Sequence, residues 1–186
     1  MKVICYGDSN TYGYDPRDPL GSRYEMPWPE IVAEKTHWQV INQGENGREI
    51  PKTAVTFPAD TDLLMVMLGT NDLLQFWSPE AACKKMEHFL KGISVPVLLI
   101  APPTMIPGAW VQDQELIDDA KALANCYRSL AERLGCAFAD AGEWNIPLAY
   151  DGVHMTEKGH RAFAENLILL LRKGERHKGG SRFQIT

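Results

Sequence analysis

Short apolar runs alternate along this chain with longer stretches in which apolar residues recur every three or four positions. Such alternation is typical of βαβ units, in which helices connect the parallel strands of one sheet. Several of the short runs are apolar throughout, as strands are when helices cover both faces of a sheet. The strand candidates are residues 3–6, 38–42, 63–68, 97–101 and 137–139. We therefore predict an α/β fold with a five-stranded parallel sheet.

The stretches between these runs carry helix signals, and the predicted helices are residues 28–35, 79–90, 113–134 and 156–171. Ser78 is a suitable N-cap for the second of them, because Pro79 then occupies the first helical position. In the third, apolar residues spaced by four and three positions predict a stripe that packs against the core rather than a cofactor site. Its members are Leu116, Ala120, Leu123, Tyr127, Leu130 and Leu134.

The length of the chain bounds the number of domains. With 186 residues and 45% hydrophobic content, the chain is long enough for one well-buried domain, and residues 1–186 are interpreted as a single domain. The polar, glycine-containing tail at residues 174–186 is expected to be mobile or to dock on a neighbouring subunit of a homo-oligomer.

The charge balance limits the partners. The chain has 19 basic and 24 acidic side chains, a formal net charge of −5, and no basic cluster in its body. Nucleic acids and anionic membranes are therefore not expected as partners. No apolar stretch approaches the roughly 20 residues of a membrane helix, and the N-terminus lacks a signal-peptide pattern. We expect a soluble, cytoplasmic protein.

The four cysteines are Cys5, Cys83, Cys126 and Cys136. They include no C-x-x-C pair, and most of them lie among apolar residues. This pattern predicts free, buried thiols rather than a metal site or a disulfide framework.

Polar clusters follow four of the five predicted strands. They read GDSN at residues 7–10, NQGENG at 42–47, GTND at 69–72 and, beyond a loop, DGVH at 151–154. In an open α/β sheet the carboxyl ends of the strands meet at one edge, where ligands bind. The four clusters are therefore expected to converge on one site.

Ser9, Asp151 and His154 have the side chains needed for nucleophilic catalysis. A serine hydroxyl is a weak nucleophile until a base accepts its proton, and His154 is the candidate base. Asp151 precedes this histidine by three residues, so its carboxylate can reach back to the imidazole Nδ1 and orient the ring. Asn71 and the backbone N–H groups of Ser9 and Gly44 are candidate donors for an oxyanion hole.

Each cluster has simpler interpretations. A serine after a strand is commonly a turn residue, and NQGENG could be no more than a turn, or GTND a helix cap. A metal site at Asp151, His154 and His160 is not expected, because the spacing matches no familiar zinc pattern. Phosphate-binding glycine motifs are absent, and the G-x-S-x-G elbow is missing because residue 11 is Thr.

Taken together and in this order, the four clusters resemble the conserved blocks of SGNH, or GDSL-type, hydrolases. The letters of that name match Ser9, Gly44, Asn71 and His154, and the resemblance spans residues 3 to about 170. It implies a flavodoxin-like three-layer α/β/α sandwich, a triad of Ser9, Asp151 and His154, an oxyanion hole from Ser9, Gly44 and Asn71, and no cofactor or metal. Asn10 departs from the family pattern, since it stands where the GDSL motif has Leu.

Further segments, among them MLGTND and DGVHMTEKGH, are most similar to the small intracellular arylesterase and acyltransferase branch, and carbohydrate acetylesterases share much of the pattern. The expected function is hydrolysis of a small-molecule ester with a short acyl chain through an acyl-enzyme. A lysophospholipase or thioesterase of the same family is an alternative. A nucleotide- or flavin-binding domain and a non-catalytic carbohydrate-binding protein are alternatives from other classes.

Residues near the predicted site suggest how the substrate is held. Asp8 and Thr11 are expected to fix the turn around Ser9 through hydrogen bonds to the backbone. Several aromatic side chains follow strand ends and could form walls that suit aryl or sugar-ring leaving groups. The predicted pocket residues are Asn10, Tyr12, Trp77 and Trp110, with Tyr14 and Trp28 as further candidates.

Overall fold

The computed structural model describes residues 1–18 and 20–176 and contains one five-stranded sheet. All neighbouring strands are parallel, and their order is β2-β1-β3-β4-β5. The strands are β1 (Lys2–Gly7), β2 (Gln39–Gly44), β3 (Leu63–Met67), β4 (Val97–Ala101) and β5 (Ala137–Asp140). This order is that of flavodoxin-like sheets, so the predicted fold is confirmed.

Six α-helices accompany the sheet in the described residues. They are α1 (Ser9–Tyr12), α2 (Trp28–Thr36), α3 (Thr70–Leu74), α4 (Pro79–Lys91), α5 (Gln114–Leu134) and α6 (Glu157–Arg176). The Ser78 Oγ accepts a hydrogen bond from the Ala81 N–H at 3.2 Å, so the predicted N-cap of α4 is confirmed. The short helices α1 and α3 lay outside the predicted set, because each begins directly at a polar cluster without an apolar repeat.

Side chains of β1 alternate between two hydrophobic clusters, one on each face of the sheet. Ile4 and Tyr6 lie in the cluster covered by α3, α4 and α5, whereas Val3 and Cys5 lie in the cluster covered by α2 and α6. The predicted stripe of α5 packs in the first cluster, with Leu123, Tyr127 and Leu130 fully buried and the others partly buried. This three-layer arrangement explains why the central strands are apolar at every position.

The cysteine prediction was wrong for two of the four residues. Cys83 on α4 and Cys126 on α5 form a disulfide, with their Cα atoms 6.3 Å apart. Their sequence separation of 43 residues carries no short spacing that would have indicated the pair. Cys5 and Cys136 are free thiols, as predicted, but only Cys5 is fully buried and Cys136 is partly exposed.

Two observations concern the membrane and the C-terminal tail. No helix in the described residues is both long and apolar enough to cross a membrane. Of the tail expected to be mobile or to dock on another subunit, residues 174–176 continue α6, and the remainder lies outside the described residues.

Candidate active site

The turn after β1 places Ser9 at the carboxyl edge of the sheet. Asp8 is the N-cap of α1, and its Oδ1 accepts a hydrogen bond from the Asn10 N–H at 2.9 Å. Ser9 is therefore the first residue of a one-turn helix and is 7% exposed. The prediction that Asp8 fixes this turn is confirmed. Thr11 does not do so through its hydroxyl, because Oγ1 is buried without a hydrogen-bond partner in the described chain.

A continuous chain of hydrogen bonds joins Ser9, His154 and Asp151. The Ser9 Oγ lies 3.0 Å from His154 Nε2, and His154 Nδ1 lies 2.7 Å from Asp151 Oδ2. All three side chains are buried. The structure thus brings together the three predicted residues at hydrogen-bonding distances, across 145 residues of sequence between the serine and the histidine.

Asp151 also organises the backbone of the segment that carries His154. Its Oδ1 accepts the N–H groups of Val153 and His154, each at 2.9 Å. Burial raises the pKa of Asp151, but the hydrogen bonds from the His154 ring and from these two N–H groups outweigh it and hold the pKa below its usual value. An ionised Asp151 favours the tautomer with hydrogen on Nδ1, which leaves the Nε2 lone pair facing the Ser9 hydroxyl.

Gly152 lets the same segment approach the loop after β4. It has a φ of +81°, and a Cβ at this position would overlap the Ile106 carbonyl oxygen. The Ile106 and Trp110 N–H groups donate to the carbonyls of Gly152 and Asp151, each at 3.0 Å. The base segment is therefore held by backbone hydrogen bonds as well as by Asp151.

Asp8, next to Ser9, is a buried carboxyl with an unusual pKa. It is 1% exposed, and burial raises its pKa from 3.8 to about 6, an effect that the hydrogen bond from the Asn10 N–H partly offsets. Folding therefore disfavours the ionised form of this carboxyl.

We expect Asp8→Asn to change how stability depends on pH. Between about pH 4 and 6 the folded protein binds more protons at Asp8 than the unfolded chain does, so this group's contribution to stability falls as pH rises. A pKa raised from 3.8 to about 6 corresponds to about 3 kcal/mol over the whole titration. Because Asp8 of the unfolded chain is already partly ionised at pH 4, the unfolding free energy of the wild type relative to Asp8→Asn should decrease by about 2 kcal/mol from pH 4 to 7. Urea unfolding of both proteins measures this difference, and parallel pH dependences would contradict it.

Asn71 is the second residue of α3, whose N-cap is Gly69. Its side-chain Nδ2 donates to the Arg48 carbonyl at 3.1 Å, and one hydrogen of the amide group is left for another acceptor. The neighbouring Asp72 accepts the Ile50 N–H at 3.0 Å and is paired with Lys85. The bonds with Arg48 and Ile50 tie the start of α3 to the loop after β2, and the pair with Lys85 ties it to α4.

The assignment of Gly44 as an oxyanion-hole donor is not supported by the geometry. Its N–H donates to Asn42 Oδ1 at 2.9 Å, so the donor is already occupied. Gly44 instead permits close packing, because a Cβ there would overlap the Tyr12 backbone. Gly47, the second glycine of NQGENG, has a φ of +73°. Within residues 1–18 and 20–176 its N–H donates to no partner.

The predicted pocket residues fall into three groups. Trp110 and Tyr14 flank His154, with ring centroids 5.1 and 4.7 Å from the imidazole. Tyr12 and Trp77 contact cations instead, since Arg23 lies over the ring of Tyr12 and Lys85 over that of Trp77. The third group, Trp28 and Asn10, does not line a pocket. Trp28 is a core residue that is 1% exposed, and the buried side chain of Asn10 binds the backbone.

Arg48 was missed by the sequence analysis. Its guanidinium donates to the carbonyls of Gly7, at 2.9 Å, and of Gln43, and it forms an ion pair with Glu45 at 2.6 Å. It therefore joins the carboxyl ends of β1 and β2, and its own carbonyl accepts the Asn71 side-chain amide. No spacing rule signals such a residue, because its partners are backbone atoms that only the fold brings together.

The fold and this arrangement of side chains define the class of SGNH hydrolases. The chain belongs to the GDSL-like lipase/acylhydrolase family, whose model matches residues 5–162. It is thus a hydrolase whose described residues include no cluster of three or more side chains suited to a metal ion.

Solved structures share the fold over nearly the whole chain. The native aryl esterase of M. smegmatis is 23% identical, with a TM-score of 0.80, and the match covers 93% of this chain and 99% of that one. A carbohydrate acetylesterase family member from Sinorhizobium meliloti is 27% identical, with a TM-score of 0.78 and coverage of 93% and 98%. No curated protein sequence matches this chain.

Proposed function

We propose that this protein is a serine esterase that hydrolyses short-chain carboxylic esters through an acyl-enzyme. The observation that carries the proposal is the buried hydrogen-bonded chain from Ser9 through His154 to Asp151. A buried serine whose hydroxyl lies 3.0 Å from an oriented imidazole has the base that nucleophilic attack requires. Membership of the GDSL-like family supports the same chemistry.

In the proposed reaction, the Ser9 Oγ attacks the ester carbonyl carbon while His154 Nε2 takes the hydroxyl proton. The tetrahedral intermediate collapses, the bond to the leaving oxygen breaks, and His154 returns the proton to the departing alcohol. Water then attacks the acyl-enzyme with the same histidine as base, which releases the acid and restores Ser9. Asp151 remains ionised and stabilises the imidazolium in both steps.

The proposed oxyanion hole consists of the Ser9 N–H, the Asn71 side-chain amide and, in place of Gly44, the Gly47 N–H. The occupied N–H of Gly44 argues for this replacement. In the described residues, the N–H groups of Ser9 and Gly47 make no hydrogen bond and so are available to an oxyanion. Donors held in place before the reaction stabilise developing charge without a reorganisation cost.

Asn71→Ala should lower kcat by about 10²- to 10³-fold with little change in KM, because the donor acts on charge that develops in the transition state. A structural role alone would instead lower the melting temperature and leave the turnover of folded protein nearly normal. Asn125→Ala, at an exposed asparagine on α5, is the matched control. Measuring kcat, KM and melting temperature of both variants decides between these roles, and near wild-type kcat for Asn71→Ala would exclude it from the site.

For the substrate, we propose short acyl groups on aryl or sugar-ring alcohols. The rings of Tyr14 and Trp110 beside His154 support a ring-shaped leaving group, because His154 must protonate the departing oxygen and these rings border the imidazole. One structural neighbour is described as an aryl esterase and another as a carbohydrate acetylesterase family member.

A panel of p-nitrophenyl esters of increasing acyl length, together with an acetylated sugar, tests the proposal. We expect kcat/KM to be highest for acetate and to fall with chain length. Faster release of acetate from the sugar than from the aryl ester would favour the carbohydrate acetylesterase alternative. Absence of hydrolysis across the whole panel would contradict the proposed function.

A further inference from the structure

Asn10, the residue after the proposed nucleophile, is bound to the segment that carries His154. Its Oδ1 accepts the Met155 N–H at 2.8 Å, and its Nδ2 donates to the Val153 carbonyl at 3.0 Å. These two backbone groups lie on either side of His154 in the chain. The amide orientation is fixed by its partners, because an N–H can only donate and a carbonyl can only accept. Asn10 is 4% exposed, so neither bond competes freely with water.

The two hydrogen bonds of Asn10 link the turn that carries Ser9 to the segment that carries His154. In the described structure, three hydrogen bonds join residues 8–13 to residues 151–156: the bond from Ser9 to His154 and the two bonds of Asn10. Asn10 itself is held, since its N–H donates to Asp8 Oδ1 at 2.9 Å. A rigid connection therefore runs from the turn of Ser9 to both neighbours of His154.

We infer that Asn10 is a positioning residue that sets the distance between the Ser9 hydroxyl and the His154 imidazole by binding the backbone on both sides of His154. The inference rests on the proposed function of these two side chains. Proton transfer from Ser9 to His154 requires a short, aligned hydrogen bond, and a displacement of about 1 Å can cost about 10²-fold in rate. Asn10 acts on this distance without contacting the reacting atoms.

Asn10→Leu tests the inference because leucine is similar in size and removes both hydrogen bonds. We expect kcat and the rate of covalent labelling of Ser9 by a fluorophosphonate to fall together, by about 10²-fold, with KM little changed. Asn166→Leu is the matched control, since Asn166 is partly buried farther along α6 and donates only to the Ala162 carbonyl, at 2.8 Å. Each rate is measured on protein shown to be folded by its melting curve.

A second variant covers the case in which leucine prevents folding. Asn10→Asp keeps the acceptor for the Met155 N–H but sets an oxygen against the Val153 carbonyl, so one of the two bonds is lost. Asp8 and His154 are the titratable groups next to this position, and a new carboxylate changes the pH dependence of the rate. We therefore compare kcat on the alkaline plateau of each protein's own pH profile. A loss that persists there supports positioning, and recovery to the wild-type value contradicts it.

The outcomes separate this inference from the proposed function. If wild-type protein hydrolyses esters and labels at Ser9, but Asn10→Leu does so at the same rates, the inference is wrong and the proposed function stands. If folded Asn10→Leu loses only melting temperature, Asn10 is structural and the inference is again wrong. If the wild type neither labels at Ser9 nor turns over ester, the proposed function fails and the inference fails with it.

Discussion

Replacing Ser9 with alanine is expected to lower kcat for ester hydrolysis by about 10⁶-fold, because the covalent route loses its nucleophile. The side chain accounts for one hydrogen bond, to His154, so the fold should tolerate the change. Kinetics on an acetyl ester and a melting curve of the same preparation measure both effects.

Ser94→Ala is the matched control for this variant. Ser94 is exposed and lies before β4, at the amino edge of the sheet and thus opposite the site. The control should retain wild-type kcat. A Ser9→Ala protein that is folded and still turns over ester at a rate near that of the wild type would remove Ser9 from the mechanism.

Asp151→Asn is expected to lower kcat by about 10⁴-fold with little change in KM. The Asn carbonyl oxygen can still accept the backbone N–H groups of Val153 and His154, which places the NH₂ group against His154 Nδ1. The imidazole must then carry its hydrogen on Nε2, where it can no longer accept the Ser9 proton. The predicted cause of the lower kcat is the wrong tautomer of His154 and not a loss of structure.

Asp118→Asn, at an exposed position on α5, is the control for the loss of one carboxylate. It should leave kcat and KM unchanged. If Asp151→Asn keeps more than a tenth of wild-type kcat, the carboxylate does not orient the base, and another group must do so. Full pH profiles of both variants identify a shift in pH optimum that would otherwise be mistaken for a loss of turnover.

The sheet and the site's main side chains could be predicted because local patterns encode them. Fully apolar runs such as residues 97–101 indicate strands covered on both faces, and parallel strands place the polar residues that follow them at one edge. Asp151 and His154 are close in sequence, so their contact depends only on a short turn. The position of Ser9 beside them could be predicted from the topology, because it follows β1, a strand with a neighbour on each side in the sheet.

Other features depend on contacts between distant segments and had no sequence signal. The sequence does not show which glycine of NQGENG, Gly44 or Gly47, has a free N–H. The hydrogen bond from the Gly44 N–H to Asn42 distinguishes them in the structure. Asn10 follows a serine in a predicted pocket, but its partners are backbone atoms more than 140 residues away. Cys83 and Cys126 meet because α4 and α5 pack side by side, which no cysteine spacing indicates.

The most direct test of a covalent mechanism at Ser9 is the site of its adduct. Wild-type protein is treated with a fluorophosphonate, its intact mass is measured, and the modified peptide is sequenced by mass spectrometry. We predict one adduct per chain, on Ser9, with its formation abolished in Ser9→Ala and slowed in Asp151→Asn. An adduct on any other serine, or no adduct on folded protein that hydrolyses esters, would contradict the proposed role of Ser9.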